Sequence, residues 1–332
     1  MCGRGMTKNI LSFLARVVLS FALLFWLFKK IDIGKMINVL KTADLMYVGV
    51  ALCVFLLINL ILLIRWFVFI KALDLEVTFM DVVRNFFIGL FCNLFLPSAI
   101  GGDIVKTFGL CRTSSQKARV VASVILDRLS GFASIVLVAT VAFIFGYRFI
   151  NDPSLLWLIG AIALFSTTIF IILLNEKLFS FVCRVFNGVP KIKDGLMSLH
   201  NDLVMIKDRQ RAIMNAVGLS CLSQVVLAAV FFLIARALHH PVDIIYFFIF
   251  SPLVCVAASL PSIGGLGVRE VGWVYLLAKV GVPESISLSM SLMSFLFMVI
   301  VGLIGGLIYV VTVSSGRVQC YQPGSAVGAK KA

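Results

Sequence analysis

The chain has 332 residues, of which 61% are hydrophobic and 13% charged, with a formal net charge of +14. That balance, with a mean hydropathy of +1.10, excludes an ordinary soluble domain, in which about 25% of residues are charged. The continuous apolar runs exclude a transmembrane β-barrel, whose strands alternate, and they assign the basic surplus to membrane-protein loops facing anionic lipid rather than to nucleic acid.

Runs of about 20 apolar residues predict membrane helices. The first covers about Ile10 to Phe28, and Lys29 to Asp44 reads as a short amphipathic helix at the interface. A second span, about Leu45 to Ile64, closes on Arg65-Trp66, read as a snorkelling cation beside an interfacial aromatic. Asp81 to Ile100 carries Arg84, Asn85, Asn93, Pro97 and Ser98, and its apolar part is too short to cross. It is expected to form a re-entrant or broken helix, followed by a polar loop from Gly101 to Arg119. The third span, about Val120 to Gly146, holds Asp127-Arg128 near its start, and the fourth is about Leu155 to Leu174. A polar linker from Asn175 to Arg211 leads to a fifth span, about Ala212 to Leu238. Ile244 to Ile263 is apolar again, Gly267 to Val282 carries Arg269-Glu270, and the last span is about Ile286 to Val313. There Gly302 and Gly306 form a small-residue face for close helix packing. The predicted fold is an all-α polytopic membrane protein of six to eight membrane helices, a single domain over 1–315 with a disordered tail over 316–332.

One stretch occurs twice. Leu96 to Lys106 and Leu260 to Glu270 each hold Pro-Ser, then Ile-Gly-Gly, then charges. Proline and paired glycines break a helix, and in hydrocarbon a break is tolerated only where protein or a water-filled cavity covers it. The two prolines, Pro97 and Pro261, lie 164 residues apart, with Lys71-Ala-Leu and Arg236-Ala-Leu in matching places upstream. If the N-terminus is inside and both breaks re-enter, 19 of the 29 Lys and Arg fall inside and 8 outside, with Arg16 and Arg128 within spans. The positive-inside rule favours that orientation, with both termini cytoplasmic in the cytoplasmic (inner) membrane. The halves, about 10–146 and 155–313, then form an inverted repeat, a plan shared by alternating-access transporters.

Asp127 and Arg128 fall roughly 12–15 Å into their helix at 1.5 Å per residue. There a lone charge costs a few kcal/mol or more. Two readings stand: a local ion pair that locks helices, or the lining of a polar cavity. Asp103 with Lys106, and Arg269 with Glu270, follow the breaks, where half-helix N-termini suit phosphate; solvated interfacial charges are the alternative. The candidate substrate-binding set is therefore Asn93, Pro97, Ser98, Gly101, Gly102, Asp103, Lys106, Asp127 and Arg128 in the first half. Its counterpart in the second half is Pro261, Ser262, Gly264, Gly265, Gly267, Arg269 and Glu270. No His-Glu-x-x-His, Walker or Gly-x-Ser-x-Gly motif occurs, and no cofactor or metal set is readable. No histidine lies near Ser98 or Ser262 in sequence, which favours transport over catalysis.

Asn93-x-x-x-Pro97, Gly101-Gly102-Asp103-x-x-Lys106, Ala122-Ser123-Val124-x-x-Asp127-Arg128-x-x-Gly131 and Gly264-Gly265-Leu266-Gly267-Val268-Arg269-Glu270 together resemble the lysylphosphatidylglycerol synthase transmembrane, or flippase-like, family. The likeness covers about residues 8–315, with Lys106 where the family often has arginine. It implies a flippase for an anionic phospholipid or polyprenyl-linked lipid, without the soluble aminoacyl-transferase domain of bifunctional members. Membrane lipid is the implied partner, together with a glycosyltransferase or lipid-modifying enzyme. The alternative is an intramembrane enzyme or accessory subunit in glycolipid or polyprenyl-phosphate-sugar synthesis.

Overall fold

A computed structural model describes residues 38–96, 101–114, 116–146, 160, 164, 209–258 and 266–314. The expected span at 10–28, that at 155–174 apart from Gly160 and Leu164, the linker's first 34 residues, the tail and both Pro-Ser pairs lie outside the described residues. Among the described residues the long elements are all α-helices: α1 (Leu45–Ala72), α2 (Phe79–Phe95), α3 (Gly101–Thr113), α4 (Lys117–Gly146), α5 (Gln210–Ala237), α6 (Ile244–Ala258), α7 (Val268–Ala278) and α8 (Glu284–Ser314). Four of these, α1, α4, α5 and α8, are long and apolar enough to cross a membrane. At 1.5 Å per residue the 17 residues of α2 reach about 25 Å and the 15 of α6 about 22 Å, both short of a ~30 Å hydrocarbon core.

The described helices therefore run long, short, short, long twice: α1 to α4, then α5 to α8. The starts and stops have local causes. Asp44 caps α1 by accepting from the Met46 N–H at 2.8 Å, and Thr78 caps α2 by accepting from the Asp81 N–H at 3.2 Å. The Lys71-Ala-Leu and Arg236-Ala-Leu sequences end α1 and α5 in the same way. The residue after each leucine, Asp74 or His239, has positive φ (50° and 55°). The next N–H reaches back five residues, from Leu75 to the Ile70 carbonyl at 3.2 Å and from His240 to the Ala235 carbonyl at 3.1 Å.

α1 and α5 pack antiparallel. The Asp44 N–H donates to the Ala237 carbonyl at 2.9 Å at one end, and Arg209 pairs with Asp74 at the other. α2 and α3 also pack antiparallel: Asn85 lies against Gly109, and Gly89 against Gly102. A Cβ on Gly102 would run into the Gly89 carbonyl, so this approach requires glycine. The halves then interlock. α2 lies against α8, with Gly302 facing Leu94, Gly305 the Phe87 carbonyl and Gly306 the Phe91 ring. α6 correspondingly lies against α4. One core gathers Trp66, Phe69, Phe86 and Leu110 from α1, α2 and α3 with residues of α4. The other gathers Phe231, Phe247, Phe250, Trp273 and Phe297 from α5 to α8.

Two expectations are corrected. The loop predicted over Gly101 to Arg119 is mostly helix α3, because Lys106 and Leu110, four residues apart, share a buried face. The second span does not stop at Ile64. α1 continues to Ala72, and Trp66, Phe69 and Ile70 are fully buried rather than interfacial.

Candidate functional site

Arg65 enters the structure as a buried residue, 7% exposed, not as a snorkelling cation. Its Nε donates to Asp127 Oδ1 at 2.7 Å, and its Nη1 donates to Ser220 Oγ at 3.1 Å. Gly131, one turn beyond Asp127, leaves the space the guanidinium needs: a Cβ there would stand 3.3 Å from Arg65 Nη1. Lys106 reaches Asp127 from α3 at 3.3 Å and its own-helix Asp103 at 3.0 Å. Its ammonium also lies 4.8 Å from the Trp66 ring centroid, a cation–π contact. Trp66 is held in turn, its Nε1 donating to Ser123 Oγ at 3.2 Å. Arg128, half-exposed, pairs with Asp103.

Asp127 thus reaches both α1 and α3, and Arg128 reaches α3. Among the described residues, three cations and two carboxylates from α1, α3 and α4 leave the cluster one positive charge in excess. An uncompensated buried charge is destabilising by about 3–5 kcal/mol, so the four buried members, Arg65, Asp103, Lys106 and Asp127, depend on one another. The cluster lines a cavity of ≈ 130 Å³ with Asn93, Gly89, Gly102 and Phe86. At ~30 Å³ per water, that holds a few waters or one small polar group. Asn93 Oδ1 is shut off from solvent and has no hydrogen-bond partner. Beyond Asp103 lies a larger, apolar groove of ≈ 510 Å³ between α3 and α4, walled by Ile104, Phe108, Val121 and Ile125 and ending at Arg112 and Lys117. Asp103 lines both spaces.

The second half forms its own cluster on α7 and α8. Arg269 Nη2 donates to Glu270 Oε1 at 2.6 Å, and Ser291 Oγ donates to the same oxygen at 3.1 Å. Glu270, fully buried, accepts the Gly267 N–H on Oε2 at 2.7 Å. Gly267 has φ 87°, which glycine adopts without strain. Arg269 stacks 5.4 Å from the Phe295 ring centroid. The N-termini of α3 and α7 are alike: Asp103 is the third residue of α3 and Glu270 the third of α7. Each supplies the anion that a helix N-terminus attracts. Asp103, Lys106 and Glu270 are buried, and the Arg269 side chain is 13% exposed.

The structure therefore brings Asn93, Gly102, Asp103, Lys106, Asp127 and Arg128 around one cavity, with Gly101 beside them. It places Gly267, Arg269 and Glu270 in a separate cluster that shares no member with the first. Pro97, Ser98, Pro261, Ser262, Gly264 and Gly265 lie outside the described residues. Sequence reasoning missed Arg65, Trp66, Ser123, Ser220 and Ser291. A signal existed for Arg65: apolar residues continue through Phe67 to Ile70, so the arginine stands inside a run rather than at its end.

Residues 13–306 match the family described as the lysylphosphatidylglycerol synthase TM region. A UPF0104 membrane protein of Pyrococcus horikoshii is 25% identical over 313 residues, covering 86% of this chain and 91% of that protein. Another from Methanocaldococcus jannaschii is 24% identical over 317 residues, covering 88% and 93%. Helices of this length and apolarity, the buried charge cluster and the span of the match agree: the chain is a multi-pass integral membrane protein of the lysylphosphatidylglycerol synthase transmembrane-region family.

Proposed function

We propose that the protein moves an amphiphile with an anionic headgroup, a phospholipid or polyprenyl-linked lipid, between the leaflets of the cytoplasmic membrane. The observation that carries this reading is the shared position of Asp103, between a charged cavity and an apolar groove. A polar space with one excess positive charge beside a long apolar one has the shape and charge of an anionic lipid. The transport plan is supported by the repeated long, short, short, long order of helices and the antiparallel α1 and α5. That the α2–α3 pair re-enters rather than crosses is supported by Arg119, at the start of α4, donating to the Leu73 carbonyl just after α1 at 3.3 Å. Two such hairpins entering from opposite faces would make an inverted repeat, with alternating access at the charged breaks. The cytoplasmic side is then that of Lys71, Arg112, Lys117 and Arg209.

The test is a leaflet assay in proteoliposomes containing fluorescent phosphatidylglycerol. Wild type is expected to expose the inner-leaflet probe to external dithionite, and Asp127→Ala and Lys106→Ala to lose that activity. Equal rates for these variants and wild type would remove the site, and no rate above empty vesicles with any anionic lipid would remove the function.

A further inference from the structure

We propose that a second site, apart from the charged cluster, holds one resident anionic phospholipid at the end of the α1–α5 pair and bridges the two halves of the chain. A groove of ≈ 660 Å³ opens there between Phe67, Val68 and Lys71 of α1 and Arg209, Arg211 and Asn215 at the start of α5. Among the described residues, only one of its three cations is paired with a carboxylate: Arg209 takes both oxygens of Asp74. Lys71 lies over the Phe67 ring, its ammonium 5.1 Å from the centroid, and Arg211 is exposed. Basic grooves at the ends of membrane helices attract anionic headgroups. What lies beyond the groove selects a lipid over a soluble anion. Lys71 shares its face of α1 with Ile64, Leu60 and Leu57, which are 7, 11 and 14 residues away. Arg211 shares its face of α5 with Gly218, Leu222 and Val225 at the same three spacings. All six are exposed, and a Cβ on Gly218 would meet nothing within 4 Å. Two open apolar stripes thus lead from a basic end into the thickness of the bilayer, matching a phosphate with acyl chains beneath it. A headgroup on Lys71 and Arg211 ties the halves where Arg209 and Asp74 already join them. This lipid is a fixed component, not the one moved, so the assignment does not depend on what the charged cavity carries.

Lipid titration of the purified full chain in detergent, followed by unfolding temperature, tests this. The probes are palmitoyl-oleoyl phosphatidylglycerol, palmitoyl-oleoyl phosphatidylcholine and soluble glycerol 3-phosphate. Phosphatidylglycerol is expected to stabilise the unaltered chain at lower concentration than phosphatidylcholine. Lys71→Gln and Arg211→Gln are each expected to raise the phosphatidylglycerol midpoint about fivefold, with a smaller effect on phosphatidylcholine. The double variant should combine the two losses, and the single variants decide by themselves if it does not fold. A preference for phosphatidylglycerol that survives in the variants overturns the proposal, because the anion then binds elsewhere, the charged cavity included. Equal midpoints for the two lipids on the unaltered chain, or stabilisation by neither, overturn it as well. Stabilisation by glycerol 3-phosphate equal to that by phosphatidylglycerol, and lost in the same variants, makes this a soluble-anion site and overturns the lipid assignment. The leaflet assay stands apart: no lipid movement there, with groove binding intact, removes the transport reading alone.

Discussion

Arg65 and Asp127, 62 residues apart, are joined by a buried bond of 2.7 Å that ties α1 to α4. The same guanidinium reaches Ser220 on α5, so one side chain links the two halves of the chain.

Removing that guanidinium leaves Asp127 with Lys106 as its remaining close cation. Arg65→Leu is expected to cost about 3–5 kcal/mol, and Arg65→Lys to recover only part of it, because an ammonium cannot bond Asp127 and Ser220 with one planar fork. The double variant Arg65→Leu, Asp127→Leu should be less damaged than the two singles summed, by a coupling of about 0.5–3 kcal/mol. Thermal unfolding followed by tryptophan fluorescence reads this; strict additivity would contradict the pairing.

Substitution of Arg128 distinguishes the proposed binding role from a role in folding. Its side chain is 46% exposed, so Arg128→Gln is expected to shift unfolding by less than about 1 kcal/mol while lowering phosphatidylglycerol flipping several-fold. A large loss of stability with unchanged flipping would reverse the assignment.

Glu270 is a harder residue to replace. Glu270→Ala removes the acceptor for Gly267, Arg269 and Ser291 together, and an expected loss of about 3–5 kcal/mol would show as poor recovery of folded protein. Glu270→Gln keeps an acceptor for the Gly267 N–H and should be milder. Fluorescence-detected size exclusion ranks the two.

The glycines sort by what faces them. Gly102→Ala and Gly305→Ala drive a Cβ into the carbonyls of Gly89 and Phe87 and are expected to cost about 1–3 kcal/mol each. Gly49→Ala meets nothing within 4 Å and should be tolerated or gain up to about 1 kcal/mol from helix propensity. Comparable melting of all three would refute the close α2–α3 and α2–α8 approaches.

Arg209 and Asp74 supply the exposed contrast, with side chains 45% and 63% exposed. Arg209→Ala should change stability by no more than about 1 kcal/mol, and a loss matching that of Arg65→Leu would mean that burial does not set the cost.

Composition and period settled the class of this protein, since 61% hydrophobic residues leave no solvent but lipid for its surface. Local rules also settled the helix ends: Asp44 and Thr78 cap, and the Lys-Ala-Leu and Arg-Ala-Leu endings match because the same short-range bonds close them. The family was legible from the glycine, aspartate and arginine strings. Tertiary structure alone decided the site. A charge's sequence position gives its height along a helix, but its partner depends on which helix packs beside it. Arg65 reads as a membrane-edge residue in one dimension and becomes the centre of a cluster once α3, α4 and α5 converge on it. The same holds for the division of charges into two clusters and for Asp103 lying between polar cavity and apolar groove. These are relations between helices far apart in the chain, and only packing in three dimensions brings such residues within the few ångströms over which hydrogen bonds and desolvated charges act.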